Sequence, residues 1–217
     1  MNFAAARFNM VENQLRTNRV IDPRVRQAMA EVPRENFVPK SLRGVAYLDE
    51  DLALGNGRTL MEPLALARLL DAARVGSGDV VLNIGDATGY SSAVLARLAQ
   101  TVVALECDME WVAKATQALS DLGVDNAAVV RGPLDQGFTA QAPYDVIIFS
   151  GAVSEVPMGV CRQLSEGGRL LAVVDVGRGI GRGTLIVRVG DSWGRRSLFD
   201  ARVSLLPGFQ GQGRFVF

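Results

Sequence analysis

The sequence predicts an α/β fold: a doubly wound, mostly parallel sheet with an N-terminal helical appendage and antiparallel C-terminal strands. From residue 79 onward, apolar runs of five or six residues alternate with helical stretches. This alternation is typical of βαβ units around a buried parallel sheet. It stops near the end, where two β-rich stretches, residues 184–190 and 201–207, are separated by the polar segment DSWGRR without a helix. We therefore expect these two stretches to pair as antiparallel strands at one edge.

The first sixty residues are predicted to form helices and then an irregular segment. Residues 5–32 are predicted to be helical with a break at residues 21–23, where Asp22 can cap a helix that begins at Pro23. Prolines and glycines interrupt residues 33–59, and this half of the segment is a candidate lid over a pocket. Pro63 then begins an apolar helix that ends at a Gly-Ser-Gly sequence, residues 76–78.

The remaining elements follow in alternation. The predicted strands cover residues 80–84, 101–106, 127–131, 145–150 and 169–175, and the predicted helices cover residues 91–99, 109–123 and a segment after Val156. The glycine-rich residues 177–183 are predicted to be a solvated connection, with acceptor binding as the alternative. Length allows one domain over residues 1–217, divided into a lid segment, 1–60, and a core, 61–217.

Composition excludes several classes of function. The 23 Lys+Arg balance the 23 Asp+Glu, so the basic excess of a typical nucleic-acid-binding protein is absent. With no histidine, a Ser-His-Asp triad or a His-ligated zinc site is impossible, and we expect no metal site. Two cysteines and no apolar run near 20 residues predict a cytoplasmic protein without a membrane span, and a monomer is favoured over an oligomer.

Residues 80–90 carry the clearest functional signal. They read as a strand, a tight turn from Gly85 to Gly89, and a helix, which brings backbone amides and a helix N-terminus toward a ligand. Glu106 follows Gly85 by 21 residues at the end of the next strand, where a carboxylate can accept hydrogen bonds from both hydroxyls of a ribose. A structural turn, with Glu106 simply ending a strand, is the alternative.

The ligand of such a loop is a dinucleotide or S-adenosylmethionine. Ala87 replaces the middle glycine that admits a pyrophosphate, and no tyrosine is followed four residues later by a lysine for hydride chemistry. A methyl donor carries no phosphate and tolerates this loop better. The residues therefore favour methyl transfer.

These motifs together resemble the protein-L-isoaspartate O-methyltransferase family. The resemblance covers most of the chain and lies in VPRENFVP (32–39), AYLDEDLALGNGRT (46–59), LNIGDATGY (82–90), Glu106, PYDVII (143–148) and QLSEGGRL (163–170). It implies the Rossmann-like fold of class I methyltransferases, S-adenosylmethionine as cofactor, and repair of isoaspartyl residues in a protein or peptide substrate. It also implies a donor site made of Gly85, Asp86, Ala87, Gly89, Glu106, Cys107 and Gly132.

This chain departs from the family pattern at the acceptor loop, TLMEPL (59–64). The family usually has Thr-Ile-Ser-x-Pro-His there, so Met61 and Leu64 replace a serine and a histidine. Thr59 and Glu62 are then the candidate catalytic residues, with a turn hydroxyl and a solvent-facing or helix-capping carboxylate as the alternatives. In the donor site, Asn83 replaces a glutamate, Ala87 a glycine, and Pro133 an aspartate.

Two further functions stay open. One is a methyltransferase for another acceptor, with Glu62 as the base that deprotonates a hydroxyl or an amine. The other is a degenerate member that binds a nucleoside or a protein partner without catalysis, which Ala87 and Pro133 favour.

Overall fold

The computed structural model describes residues 2–177 and 179–209 of the 217. Arg178, in the glycine-rich loop, and the two ends of the predicted domain, residues 1 and 210–217, lie outside this part. In chain order the elements are α1 (Phe3–Asn9), a π-helical segment (Met10–Leu15), α2 (Pro23–Glu31), 3₁₀ segments (Arg34–Phe37 and Lys40–Val45), β1 (Leu52–Gly55), β2 (Arg58–Leu60), α3 (Pro63–Ala73), β3 (Val80–Ile84), α4 (Tyr90–Ala96), β4 (Thr101–Glu106), α5 (Met109–Asp121), β5 (Ala127–Arg131), a 3₁₀ turn (Thr139–Gln141), β6 (Tyr144–Val153), α6 (Met158–Cys161), β7 (Leu164–Val174), β8 (Gly181–Val189) and β9 (Ser192–Ala201).

A seven-stranded sheet forms the centre of the molecule and confirms the predicted fold class. Its order is β5-β4-β3-β6-β7-β8-β9, with parallel pairing from β5 to β7 and antiparallel pairing of β8 and β9. The chain moves outward from β3 to β5 and then returns to the other side of β3 as β6. The carboxyl ends of β3 and β6 therefore border a topological switch point, where open α/β sheets bind their ligands.

Helices and loops cover both faces of this sheet. One hydrophobic cluster joins α2, α3 and α4 to one face through residues such as Leu66, Val94 and Val146. A second cluster lies on the other face and includes Leu134, Cys161 and Leu206 from shorter segments. The apolar runs predicted as strands are buried because each central strand is covered on both sides.

The predicted antiparallel strands are displaced along the chain. The structure pairs β8 with β9 (Ser192–Ala201), so residues 201–207 do not form the second strand as expected, and of these only Leu205 makes an isolated bridge, to Ala152. β9 is an edge strand that is largely exposed, and its sequence contains two adjacent arginines and a glycine. The apolar pattern that identifies buried strands is therefore absent from it.

Three helical predictions also need correction. The N-terminal residues form α1 and α2 with a π-helical segment between them, and Asp22 caps α2 by accepting a hydrogen bond from the amide of Arg24. The helix expected after Val156 is a single turn, α6, of four residues. α4 ends at Ala96, three residues before the predicted end.

Arg34 attaches the irregular segment 33–60 to the core. Its side chain is completely buried, and its guanidinium donates hydrogen bonds of 2.7 Å to the main-chain carbonyls of Ala46 and Met61. The same group lies over the ring of Tyr90, 4.8 Å from its centroid. One side chain thus satisfies two buried carbonyls in a region that has little regular secondary structure to satisfy them.

We expect Arg34→Ala to lower the free energy of unfolding by about 3–5 kcal/mol, because it leaves two buried carbonyls without donors and removes a packed side chain. Arg34→Lys should recover less than half of this loss, since an ammonium group lacks the fork that spans both carbonyls. Urea denaturation measures both effects. Arg97→Ala, at an exposed arginine, is the control with a change of about 0.5 kcal/mol or less. A loss below about 1 kcal/mol for Arg34→Ala would contradict this assignment.

Candidate active site

The loop after β3 lies at the switch point. Gly85 and Gly89 have φ angles of +82° and +86°, in the left-handed region that favours glycine. The Gly85 amide donates to the carbonyl of Leu105 in the neighbouring strand, at 2.8 Å. A side chain on Gly89 would stand 3.3 Å from the main-chain oxygen of Ala115, so this glycine also lets α5 approach the loop. The loop is therefore fixed by both backbone conformation and packing.

Asp86 is turned into the protein. Its carboxylate accepts hydrogen bonds from the amide of Ser92 at 2.7 Å and from the side-chain amide of Asn83 at 3.2 Å. Burial raises the pKa of this carboxyl, while the hydrogen bonds from Ser92 and Ser91 oppose that shift. Asp86 thus shapes the loop from within and caps the first turn of α4.

Asn83 is the centre of a buried polar network under this loop. Its side-chain amide donates to the hydroxyls of Ser91 and Ser92, both at 2.8 Å, and its carbonyl oxygen accepts from the Ser150 hydroxyl at 2.7 Å. Ser91 and Ser150 are also within hydrogen-bond distance of each other. The network links β3, α4 and β6, the three elements that meet at the switch point.

Glu106 ends β4 and is almost fully buried, with 1% of its surface exposed. Its two carboxylate oxygens accept hydrogen bonds from the two terminal nitrogens of Arg58, at 2.6 and 2.7 Å. One of these oxygens also accepts from the amides of Cys107 at 2.7 Å and Asp108 at 3.2 Å. The carboxylate predicted to bind a ribose is therefore engaged by protein donors on both oxygens.

Arg58 is a site residue that the sequence did not reveal. It lies on β2, is 4% exposed, and also donates to the main-chain carbonyl of Gly85 at 2.8 Å. Its partner Glu106 is 48 residues away in sequence. The only local signal is a lone cation before Thr59 in a glycine-rich turn, and nothing in that turn indicates which carboxylate it meets.

Cys107 and Gly132 lie beside this ion pair. Burial and the neighbouring Glu106 carboxylate raise the pKa of the Cys107 thiol, which is 3.3 Å from that carboxylate. The Gly132 amide donates to the main-chain carbonyl of Glu106 at 3.0 Å. Both predicted donor-site residues are thus close to Glu106, but their contacts are with the chain itself.

Thr59 and Met61 come together with the loop after β3. They line a cavity of about 10 Å³ whose other walls include Gly85, Asp86, Ala87 and Ser150. Ala87 is 3% exposed and Met61 is also buried. The segment 59–64 and the loop after β3 are therefore adjacent, and little empty space lies between them.

Leu206 closes the same region from the C-terminal side. Its methyl groups lie 2.6 Å from the point where a Cβ on Gly85 would stand and 2.5 Å from the corresponding point on Gly151. The main chain holds it there, because the Leu206 amide donates to the Ala152 carbonyl at 2.8 Å. The space that bare glycine backbone leaves beside β3 and β6 is therefore filled by a leucine side chain.

Glu62 is half-buried and does not line this cavity. Its side chain makes no capping hydrogen bond to α3; Asp51 accepts from the Glu62 amide at 2.9 Å and Asp49 accepts from the Leu64 amide at 3.0 Å. Burial, together with the negative charges of Asp49 and Asp51, raises the pKa of Glu62 to about 7. Its carboxyl is thus poised to change charge near neutral pH.

A larger cavity, of about 600 Å³, lies between the N-terminal segment and α5. Its walls include Phe37, Leu54, Thr88 and Trp111. Thr88 is the one residue that this cavity shares with the smaller cavity at the loops. None of the seven donor-site residues inferred from the sequence lines it.

The chain is similar to known proteins in sequence and in fold. A family model described as protein-L-isoaspartate(D-aspartate) O-methyltransferase matches residues 6–190. The protein-L-isoaspartate O-methyltransferase of Koribacter versatilis (strain Ellin345) is 39% identical over 210 residues, covering 96% of this chain and 94% of that protein. Its counterpart in Synechococcus sp. (strain JA-2-3B'a(2-13)) is 44% identical over 172 residues, covering 79% and 70%.

Two solved structures agree with this. A protein-L-isoaspartate O-methyltransferase superposes with a TM-score of 0.82 and 26% identity, over 94% of this chain and 67% of that one. A putative Plasmodium falciparum enzyme, solved with S-adenosyl-L-homocysteine, has a TM-score of 0.76 at 19% identity over 95% and 98% of the chains, and supports the fold. With the family model matching most of its length, this chain belongs to the protein-L-isoaspartate(D-aspartate) O-methyltransferase family.

Proposed function

We propose that this protein methylates isoaspartyl carboxylates in damaged proteins or peptides, with S-adenosylmethionine as the methyl donor. Membership of the family is the observation that carries this proposal, since the family acts on isoaspartyl substrates with that cofactor. The position of the site supports it too. Gly85, Gly89 and Glu106 lie at the carboxyl edge of the sheet beside the switch point, next to the acceptor loop.

An isoaspartyl acceptor suits a protein without histidine. A carboxylate is already ionised at neutral pH, so its oxygen needs no general base before it accepts a methyl group. The protein then contributes binding and orientation. We assign Thr59 to the positioning of the acceptor, because its half-buried side chain lines the cavity that also touches Gly85 and Ala87.

S-adenosylmethionine does not fit the closed arrangement of these residues. A cavity of about 10 Å³ is far below the several hundred Å³ that ligands of this size occupy. Arg58 holds both oxygens of Glu106, and Leu206 covers Gly85. Donor binding at this edge of the sheet therefore requires Arg58 and Leu206 to take other positions.

A second candidate is a family member that has lost catalysis and binds a partner or a nucleoside. The Arg58–Glu106 pair favours it, because the chain itself occupies the carboxylate on which a donor depends. The changes at Met61 and Leu64 in the acceptor loop point the same way. A methyltransferase for another acceptor, with Glu62 as base, requires an ionised Glu62 at working pH, which a pKa of about 7 permits above neutrality.

Transfer of a labelled methyl group separates these functions. We expect saturating S-adenosylmethionine to give base-labile label on an isoaspartyl peptide and none on the same peptide with normal aspartate. Methyl esters hydrolyse in mild base, whereas methyl groups on nitrogen do not. Label on the aspartyl peptide or base-stable label would indicate another acceptor. Donor binding without transfer to any acceptor would favour the non-catalytic member.

The raised pKa of Glu62 predicts a pH dependence of stability. Because the folded protein holds the Glu62 proton more tightly than the unfolded chain does, the free energy of unfolding should fall as pH rises from about 4.5 to 7. Solvent screening of the half-buried carboxyl limits this loss to about 1–2 kcal/mol. Glu62→Gln should remove this loss. The free energy of unfolding of the variant, measured by urea denaturation, should therefore rise relative to that of the wild type as the pH increases to 8. The control is Glu155→Gln, at an exposed carboxylate. Parallel curves for wild type and Glu62→Gln would contradict the shift.

A position of Glu62 beside the acceptor, which its role as a base in the alternative function requires, has its own test. An ionised Glu62 repels an incoming carboxylate, so the KM of the isoaspartyl peptide should rise severalfold between pH 6 and 8 while kcat changes less. Glu62→Gln should make this KM independent of pH in that range. If the variant keeps the wild-type KM profile, Glu62 does not border the acceptor.

Three properties stay predictions from the sequence: a cytoplasmic location, a monomeric state, and the absence of binding to nucleic acid or membrane. In the part of the chain that the structure describes, no helix has both the length and the apolar character needed to cross a lipid bilayer. Light scattering tests the predicted monomer.

A further inference from the structure

We propose that the Arg58 side chain occupies the ribose subsite of the donor and so competes with S-adenosylmethionine for the Glu106 carboxylate. We call the contact between Arg58 and Glu106 the latch. The inference rests on the proposed function, because it takes Glu106 as the carboxylate that would bind the ribose. Arg58 and Glu106 are 4% and 1% exposed, and their groups meet through two hydrogen bonds of 2.6 and 2.7 Å. Nothing in the comparisons assigns a role to Arg58.

The competition follows from the hydrogen-bonding chemistry. A ribose would offer two hydroxyl donors to the Glu106 carboxylate, and the Arg58 guanidinium offers two parallel N–H donors to the same two oxygens. One of these two oxygens also accepts hydrogen bonds from the main-chain amides of Cys107 and Asp108. The bidentate guanidinium and the two amides leave at most one acceptor direction, on one oxygen, so a ribose cannot bind this carboxylate through both hydroxyls while Arg58 holds it.

Arg58 also contacts the main chain of the glycine turn, so its competition with the donor includes this part of the site. The guanidinium also donates to the carbonyl of Gly85 at 2.8 Å, which places it between β4 and the loop after β3. Leu206 approaches Gly85 as well. Arg58 and Leu206 thus take up the two parts of the site, the carboxylate and the open glycine backbone, that a nucleoside would use.

The latch sits on an element that is not paired with any strand of the central sheet. β1 and β2 pair only with each other, as a separate two-stranded sheet. Their connection contains Gly55, Asn56 and Gly57, with φ angles of +94°, +50° and +69°. Asn56 and Gly57 are exposed, and a Cβ on either glycine would meet nothing within 4 Å. Displacement of Arg58 therefore requires a shift of this hairpin or of the arginine side chain alone.

The latch also joins the donor site to the acceptor loop. Thr59 follows Arg58 directly on β2, and Asp51, just before β1, accepts from the amides of Glu62 and Ser204. Ser204 in turn precedes Leu206 by two residues, and its carbonyl accepts from the Ala152 amide at 2.9 Å. Arg58 and Thr59 lie in the β1–β2 hairpin, and Asp51, which accepts from both Glu62 and Ser204, directly precedes it. A shift of this hairpin when the donor binds would therefore reposition the acceptor loop.

Calorimetry with S-adenosyl-L-homocysteine tests the latch on the full chain without a reaction. The apparent affinity of a site is reduced by the fraction of molecules in which that site is open. We expect Arg58→Gln to lower the Kd for this ligand at least about tenfold relative to wild type, since a neutral amide makes one weaker hydrogen bond where the guanidinium makes two. Arg58→Lys, which keeps the charge and loses the fork, should give an intermediate Kd.

Arg169→Gln is the matched control. Its guanidinium also joins a carboxylate to main-chain carbonyls, with bonds to Asp79 at 2.7 Å, Ala73 at 3.0 Å and Arg74 at 3.1 Å, but it lies at another end of the sheet. The Kd of the Arg169→Gln variant for S-adenosyl-L-homocysteine should equal that of the wild type. Circular dichroism melting shows which variants are folded, and if Arg58→Gln does not fold, the comparison is made with Arg58→Lys.

An unchanged or weaker affinity in the folded Arg58 variants would overturn the latch, since Arg58 would then support donor binding or have no effect on it. Absence of binding in both wild type and variants overturns it as well. The methyl-transfer assay on the wild type is read separately. If the wild type transfers methyl groups but Arg58→Gln does not bind S-adenosyl-L-homocysteine more tightly, the proposed function holds and the latch is wrong. If Arg58→Gln binds this ligand more tightly but no methyl transfer is found, the latch holds in a non-catalytic protein.

Discussion

The buried pair between Arg58 and Glu106 is the interaction around which this site is organised. Two charges removed from water lose much of their hydration free energy, and an ion pair recovers that loss only with good geometry and full hydrogen bonding. Here the geometry is bidentate, and the amides of Cys107 and Asp108 and the carbonyl of Gly85 satisfy further directions. Removal of either partner alone would leave a buried charge, so the hairpin, β4 and the loop after β3 depend on one another.

A second buried arginine explains how the irregular segment 33–60 is held. Arg34 satisfies the carbonyls of Ala46 and Met61, whereas Arg58 satisfies a carboxylate and the carbonyl of Gly85. Both side chains come from the same segment, and each bridges parts of the chain that are distant in sequence. Guanidinium groups thus supply hydrogen bonds that link this proline- and glycine-rich segment, whose regular structure is limited to the short β1–β2 hairpin and two 3₁₀ segments, to the rest of the chain.

The sequence predicted the parts of the fold that depend on local pattern. β3, β4 and β5 have the predicted bounds, because each is a short apolar run between helices; β3 and β4 are buried inside the sheet, whereas β5 is a partly exposed edge strand. The turn from Gly85 to Gly89 and Glu106 were found from their spacing. Arg58, Leu206 and β9 were missed, for two reasons. The roles of Arg58 and Leu206 arise from contacts across 27 or more residues of sequence, and β9 is an exposed edge strand whose polar residues hide the strand pattern.

The altered acceptor loop shows why family architecture and active-site side chains can diverge independently. The loop is positioned through its main chain: Arg34 donates to the Met61 carbonyl, Asp51 accepts from the Glu62 amide, and Asp49 accepts from the Leu64 amide. None of these main-chain contacts uses the side chains of Met61 or Leu64, which pack against the hydrophobic core instead, so these anchoring contacts do not depend on a serine or a histidine at those positions. A side chain outside this loop, that of Arg58, also shapes the site. Its guanidinium holds the carboxylate of Glu106, so the closed site also depends on a residue outside the glycine turn and positions 61 and 64.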